Sequence, residues 1–422
     1  MGVFVFKEGM LQTFSVFITP IGLCLIASSA WGITLPNAYQ SATRHRAAIS
    51  TSHLEEEIAD SSHSRAIASL LPSLSVTSSH TLRDPISGTS TASTFGQRYQ
   101  HTATLTLKQP IFQGGAEYAG LGYASAERQI ANFRTKQAEL DLAVEVATGF
   151  YGLATLNSEI TNLLEQDDIL EKRVVFLQRW VRIGRSKPSE LTAVQSQKAK
   201  IAADVSKAQS ERQVAYERFL WLTGLENANE IEWETPTAPI PTQIDVENLP
   251  SVRALELEME NTERSRSIAR ADYWPSVDVE GNYYLQRAGI LAASRWDLNL
   301  TLTWNLFSGG ATAAESTIKA KEAQKKEIEL RDLKHRIRQD FLGQQRLLEF
   351  QKRTVEKLEQ AVRYSRKNYL EQQEEFKKGL ITNLEVLRAI DDYLQVKRAL
   401  DRENIASRLA AVRLRALLGE KP

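Results

Sequence analysis

The chain has 422 residues, with 52 basic and 52 acidic side chains, 21 glycines, 12 prolines and a single cysteine. That length suits two or three ordinary domains, yet the glycines and prolines cluster at a few junctions instead of punctuating the chain as in compact α/β enzymes. The balanced charge leaves no basic footprint for nucleic acid.

Leu11 to Trp31 is an apolar run containing Ala27-Ser28-Ser29-Ala30, small residues where a signal peptidase reads. Residues 1–30 are therefore expected to be a cleaved secretory signal. The alternative is an uncleaved anchor, since about 20 apolar residues span a bilayer. Cys24 lies inside this run behind Leu23, where a lipoprotein signal needs a small residue. The mature chain is expected to hold no thiol, disulfide or thiolate metal site.

A helical stretch from Leu35 to Leu70 ends at Leu71-Pro72-Ser73, and proline suits the first residue of a strand. A hairpin is predicted over 73–112: Leu74 to Leu82, a Ser/Thr/Gly-rich loop from Arg83 to Arg98, then Thr102 to Lys108. The segment Pro110-Ile111-Phe112-Gln113-Gly114-Gly115 closes it and opens a proline-free helix over 115–183. Ile160, Leu163, Asp167, Leu170, Val174, Leu177 and Val181 keep a 3-4 spacing there, the mark of coiled-coil packing. The chain turns at Gly184-Arg185-Ser186 and returns as a helix over 188–222. A linker is read at 226–249.

The same order then repeats at an offset of about 195 residues. Pro250 to Tyr273 is helical, Trp274-Pro275-Ser276 opens a hairpin over 276–307, and a short loop from Arg287 to Ala293 joins Val277–Gln286 to Trp296–Leu306. Phe307-Ser308-Gly309-Gly310 opens a helix over 310–378, Gly379-Leu380-Ile381-Thr382 makes the turn, and a return helix covers 383–418. Two copies of one unit, 31–225 and 250–422, are expected.

Trp296 to Leu306 alternates strictly, Leu and Trp on one face and Asp, Asn and Thr on the other. A sandwich strand can do the same. The nearly uncharged polar face and the flanking Trp suit a lipid-facing barrel strand, and about ten tilted residues cross a membrane. Four strands cannot close, and open edges in hydrocarbon leave backbone groups unpaired at several kcal/mol each. Three chains would supply about twelve strands, an even number within the bacterial range. The expected fold class is an α+β membrane protein: a trimeric 12-stranded β-barrel, four strands per chain, continued by a long α-helical coiled-coil tunnel.

These openings, closings and the Gly379-Leu380-Ile381-Thr382-Asn383-Leu384-Glu385-Val386-Leu387 turn resemble the TolC-like outer membrane factors over nearly the whole mature chain. The resemblance implies a homotrimer in outer-membrane lipid of a Gram-negative cell, with helices running through the periplasm. It implies docking by the tip turns Gly184–Ser186 and Gly379–Thr382 on a periplasmic adaptor (membrane fusion) protein tied to an inner-membrane transporter. Efflux pumps and type I secretion systems both use such ducts. The family's aperture acid, six positions after the turn glycine, falls on Glu190 and Glu385. Thr382-Asn383-Leu384-Glu385 also reads as a capping box. The second family acid is replaced by Arg388, and Asp392 one turn on could restore the charge; the plain alternative leaves Asp391 and Asp392 solvated or paired with nearby Lys and Arg.

His45, His53, His63, His80, His101 and His335 show no ligand spacing, and no phosphate-binding loop or nucleophile elbow occurs. No enzyme chemistry, cofactor or metal is expected. Gly114-Gly115 and Gly309-Gly310 are read as strand-to-helix junctions together with Pro110, Phe112 and Phe307. With only Met1, Met10 and Met259, no methionine-lined route for soft metals is indicated. The rival function is a trimeric coiled-coil adhesin or scaffold, which predicts one stalk and one barrel segment.

Overall fold

The computed structural model describes residues 33–82, 99–227, 232, 243–287 and 293–421. The expected signal at 1–30 with Cys24, loop residues 83–98 and 288–292, and most of the 226–249 linker lie outside the described residues.

Two glycine pairs turn strand into helix. Gly114 and Gly115 have φ of 65° and 86°, and Gly309 and Gly310 have 64° and 87°, left-handed values that a Cβ penalises. Behind each pair runs one helix of 67 residues, α3 (Ala116–Arg182) and α6 (Ala311–Lys377). At 1.5 Å per residue each is about 100 Å long. The return helices α4 (Pro188–Thr223) and α7 (Asn383–Leu417) are about half that length.

Shorter helices make up the difference. Ser41 Oγ donates to the Thr223 carbonyl at 2.8 Å, so the end of α4 meets α1 (Leu35–His45) where α2 (Ala47–Ala68) begins. Likewise Leu418, just past α7, and Ile244 pack on one cluster with Phe341 and Leu414, and Gly419 lies against Leu249 ahead of α5 (Pro250–Arg270). α2 thus continues the line of α4 toward the sheet, and α5 continues that of α7. The stretch expected as one helix from Leu35 to Leu70 is two, broken at Arg46 with ψ 119°. The break lets Ala38 and Ala42 bury against α3 and α4, while the Arg46 guanidinium sits 4.1 Å over Trp221 and reaches Glu145 at 3.4 Å.

α3 is flanked on both sides. α2 and α4 line one side, through Arg128–Asp60 and Arg212 Nε to Asn157 at 2.6 Å. α5 and α7 line the other, through Arg134–Glu258 at 2.6 Å and Asn162 to Asp401 at 2.7 Å. α6 packs on α5 and α7, and Ile318, Ile328, Phe350 and Tyr364 on it stay exposed, as do Leu54 and Ile58 on α2 and Val214 on α4. The 3-4 stripe of α3 is accordingly buried at Leu163, Leu170, Val174 and Leu177, whereas on α6 Val355, Leu358, Val362 and Tyr369 are half-buried and Phe376 is buried.

The four strands, β1 (Ser73–Leu82), β2 (Tyr99–Gln113), β3 (Ser276–Gln286) and β4 (Trp296–Thr303), form one antiparallel sheet in chain order. β1 and β4 are its edges. A register shift falls at Pro110/Phe112, where proline has no N–H for the ladder. Alternation predicted the last strand through Leu306, but β4 stops at Thr303. β3 begins at Ser276, opposite Thr303, so Trp304 to Phe307 have no ladder partner. In β2 the matching stretch is paired, Gln113 lying opposite Ser276.

Candidate functional site

The sheet has two chemically distinct faces. Leu74, Val76, Leu107, Leu298, Leu300, Leu302 and Trp296 are exposed on one. The other carries a polar network: Thr106 Oγ1 donates to Asn282 Oδ1 at 2.7 Å, Asn282 and Asn299 donate to Asp297 at 3.1 and 3.0 Å, and Gln113 reaches Asp278 at 3.1 Å. A sheet that shows leucines to its surroundings and bonds its polar side chains to one another suits lipid outside and water inside. Among the described residues no helix is long and apolar enough to cross a membrane.

The strand-helix junctions differ between the two halves. A Cβ on Gly114 would lie 2.4 Å from the Ala271 carbonyl oxygen, after the end of α5, whereas nothing within 4 Å faces Gly309 or Gly310. Phe307 is 88% exposed and Phe112 half-buried. The first junction is completed by its own chain; the second is open.

At the far end, the two turns close in the same way. Arg185 N donates to Trp180 O at 2.8 Å after Gly184, and Leu380 N to Glu375 O at 3.0 Å after Gly379. Both are Schellman-type stops around a left-handed glycine. Gly184, Arg185, Gly379, Leu380 and Thr382 are exposed, and Ser186 and Ile381 half-buried. Glu385 accepts the Thr382 N–H at 2.6 Å and the Thr382 hydroxyl at 2.9 Å. These bonds form the capping box, and the backbone bond holds the carboxyl below the usual range. Glu190 has no such cap to fill, Lys187 and Pro188 preceding it, and instead accepts the Ser186 hydroxyl at 2.5 Å. Arg388 and Asp392 are exposed.

Asp391 departs from the expected solvated or Lys/Arg-paired carboxylate. It is half-buried and takes Gln166 Nε2 at 2.9 Å and Gln197 Nε2 at 3.5 Å. Burial raises its pKa, against the pull of Arg398 and Lys200. A carboxyl raised in the fold weakens the folded state while ionised, and the loss is relieved as pH falls through the raised value. Asp391→Asn is expected to raise the thermal midpoint at pH 7, with the gain vanishing below the ordinary aspartate range; a lower midpoint at pH 7 would show that the charge itself is used.

The residue that joins the two turns escaped the sequence reading. Arg173 of α3 donates through Nε to Asn383 Oδ1 at the start of α7, at 2.8 Å, and lies 3.9 Å over Phe376 near the end of α6. Burial lowers its pKa to about 10, with Tyr369 and Glu190 opposing. Phe376 also stacks on Trp180 at 5.3 Å, and Phe176 lies tilted against Trp180 at 4.7 Å. A signal existed: Arg173 stands beside Val174 between Leu170 and Leu177, on the face that the 3-4 spacing buries. Among the described residues no His, Cys, Asp and Glu cluster could hold a metal.

The profile of a known family, described as outer membrane efflux protein, matches residues 38–225 and 244–420. No curated protein matches the chain. Among solved structures, CusC shares 14% identity at TM-score 0.82, covering 91% of each chain. VceC from Vibrio cholerae shares 19% at TM-score 0.78, covering 92% of this chain and 97% of that one. The open state of MtrE from Neisseria gonorrhoeae shares 17% at TM-score 0.78, covering 92% and 89%. With four strands, a helical extension and a match over both halves, the chain belongs to the outer membrane efflux protein family, channels of the outer membrane with a periplasmic helical extension.

Proposed function

We propose that two repeats per chain and three chains per assembly make a closed 12-stranded barrel and a helical tunnel. Through it, substrates delivered by an inner-membrane transporter and a periplasmic adaptor pass to the exterior. The observation that carries this is the open four-stranded sheet with its apolar face outward, because edges β1 and β4 need neighbours in hydrocarbon. The asymmetry of the junctions supports it. Gly309 lacks the packing that Gly114 finds in its own chain, and the counterpart of Ala271 in the first half is Ala68, which a neighbouring chain would supply.

The tip turns Gly184–Ser186 and Gly379–Thr382 are the proposed docking points for the adaptor, and Glu190, Glu385, Arg388 and Asp392 the proposed aperture residues. Opening would move the helices around Gly379 outward; MtrE is described as an open state of a like fold. No reaction is assigned to the chain. The proposed duct serves a tripartite efflux pump or a type I secretion system.

Planar-bilayer recording on the purified protein tests the reading. A duct conducts, at least after mutation at the tips, whereas an adhesin or scaffold conducts nothing. Glu385→Gln with Asp392→Asn is expected to lower cation preference; unchanged selectivity would remove these residues from the aperture.

A further inference from the structure

Arg173 is only 6% exposed, yet its Nη2 meets no hydrogen-bond partner. Burying a guanidinium without a carboxylate is costly. The side chain lines a cleft of about 310 Å³ between α3, α6 and α7, with Lys172, Arg366, Lys377 and the stacked pair Tyr369 and Tyr393 around it. Glu165, the one carboxylate in the lining, is held by Lys397. Lys172 and Lys377 reach the exposed Asp168 and Glu374 on their own helices, while no carboxylate is bonded to Arg173 or Arg366 among the described residues.

We propose that this cleft binds a carboxylate anion on Arg173, beside Tyr369, Arg366 and Lys377. The cleft is lined by residues of one chain. A carboxylate matches the guanidinium's fork of N–H donors, and such charge-assisted pairs are the strong ones. Because the donors come from α3 and α6, and Asn383 of α7 already holds Nε, an occupied cleft ties the two tip turns together. Two sources carry this group: a free organic acid, or an acidic side chain presented by a docked protein.

Isothermal titration of the detergent-solubilised protein with glutarate, at ionic strength matched with chloride, tests the site. A capped helical peptide with one central Glu is run against its Gln counterpart. Saturable glutarate binding identifies a solute site; saturable binding of the Glu peptide alone identifies a protein side chain, and both support the proposal. Arg173→Gln is expected to weaken binding at least about tenfold, as loss of a hydrogen bond to a charged group does, and Arg173→Lys less. Glu190→Gln, which removes a negative charge acting on Arg173, should strengthen it. The proposal is overturned if neither probe binds, if Arg173→Gln binds like the wild type, or if binding appears only in Glu190→Gln, which would show that Glu190 already fills the site.

Discussion

Valine in place of Gly114 is expected to remove the protein from the outer membrane. Two penalties combine: φ of 65° in a β-branched residue, and a Cβ 2.4 Å from the Ala271 carbonyl oxygen, 3.0 Å from its carbon and 3.1 Å from its Cα. Left-handed strain alone costs about 1–3 kcal/mol. The clash is with backbone, so no rotamer relieves it, and β2, α3 and the end of α5 would have to separate. Quantitative blotting of outer-membrane fractions should show at least about a several-fold loss, the response to a destabilisation of only about 1–2 kcal/mol. Near-normal levels would mean that the junction is not rigid. The same change at Gly309 separates the assembly from the lone chain. A free chain offers space there and predicts only the part of the loss that strain causes, clearly smaller than at Gly114, whereas a neighbour's Ala68 predicts a loss as deep as that at Gly114.

The second large effect is expected at Phe150. It is 2% exposed in the cluster where α1, α3, α4 and α7 meet, edge-on to Tyr151 at 5.3 Å and 6.4 Å from Phe219. Phe150→Ala should cost about 3–5 kcal/mol, transfer plus cavity. The helix joint between α4 and α1 rests on the same cluster, with Ser41 bonded to the Thr223 carbonyl. Thermal unfolding followed by helical circular dichroism should show a clearly lowered midpoint. An unchanged midpoint would place the stability of the tunnel elsewhere.

Much of the fold was legible in the residues. Alternation from Trp296 to Thr303 marks a strand with an apolar and a polar face, and the proline-free runs behind the glycine pairs mark helices of membrane-distant reach. What was not legible depends on partners. Nothing in Trp304-Asn305-Leu306 says that β4 stops at Thr303, because ladder pairing decides it. The break at Arg46 goes with its contacts to Trp221 and Glu145, far away in sequence. At the tips, Thr382 and Glu385 could be read as a cap because capping is local, and the cap is there. Arg173 could not be placed: its bond to Asn383 and its stacking on Phe376 join elements some 200 residues apart.

Closure of the barrel by neighbouring chains is the claim on which the rest hangs, and a designed disulfide tests it. Thr106 of β2 lies opposite Asn282 of β3 and their side chains bond at 2.7 Å. The repeat offset is 195 residues at Phe112/Phe307 and 203 at Pro72/Pro275, so that pair becomes Thr301 of β4 and Ser79 of a neighbour's β1. With Cys24 in the expected signal, the mature chain would carry no competing thiol. Outer membranes holding the double variant Ser79→Cys with Thr301→Cys, oxidised and run without reductant, should show linked dimers and trimers and nothing larger. No intermolecular disulfide, or a ladder continuing past the trimer, would contradict the closed three-chain barrel.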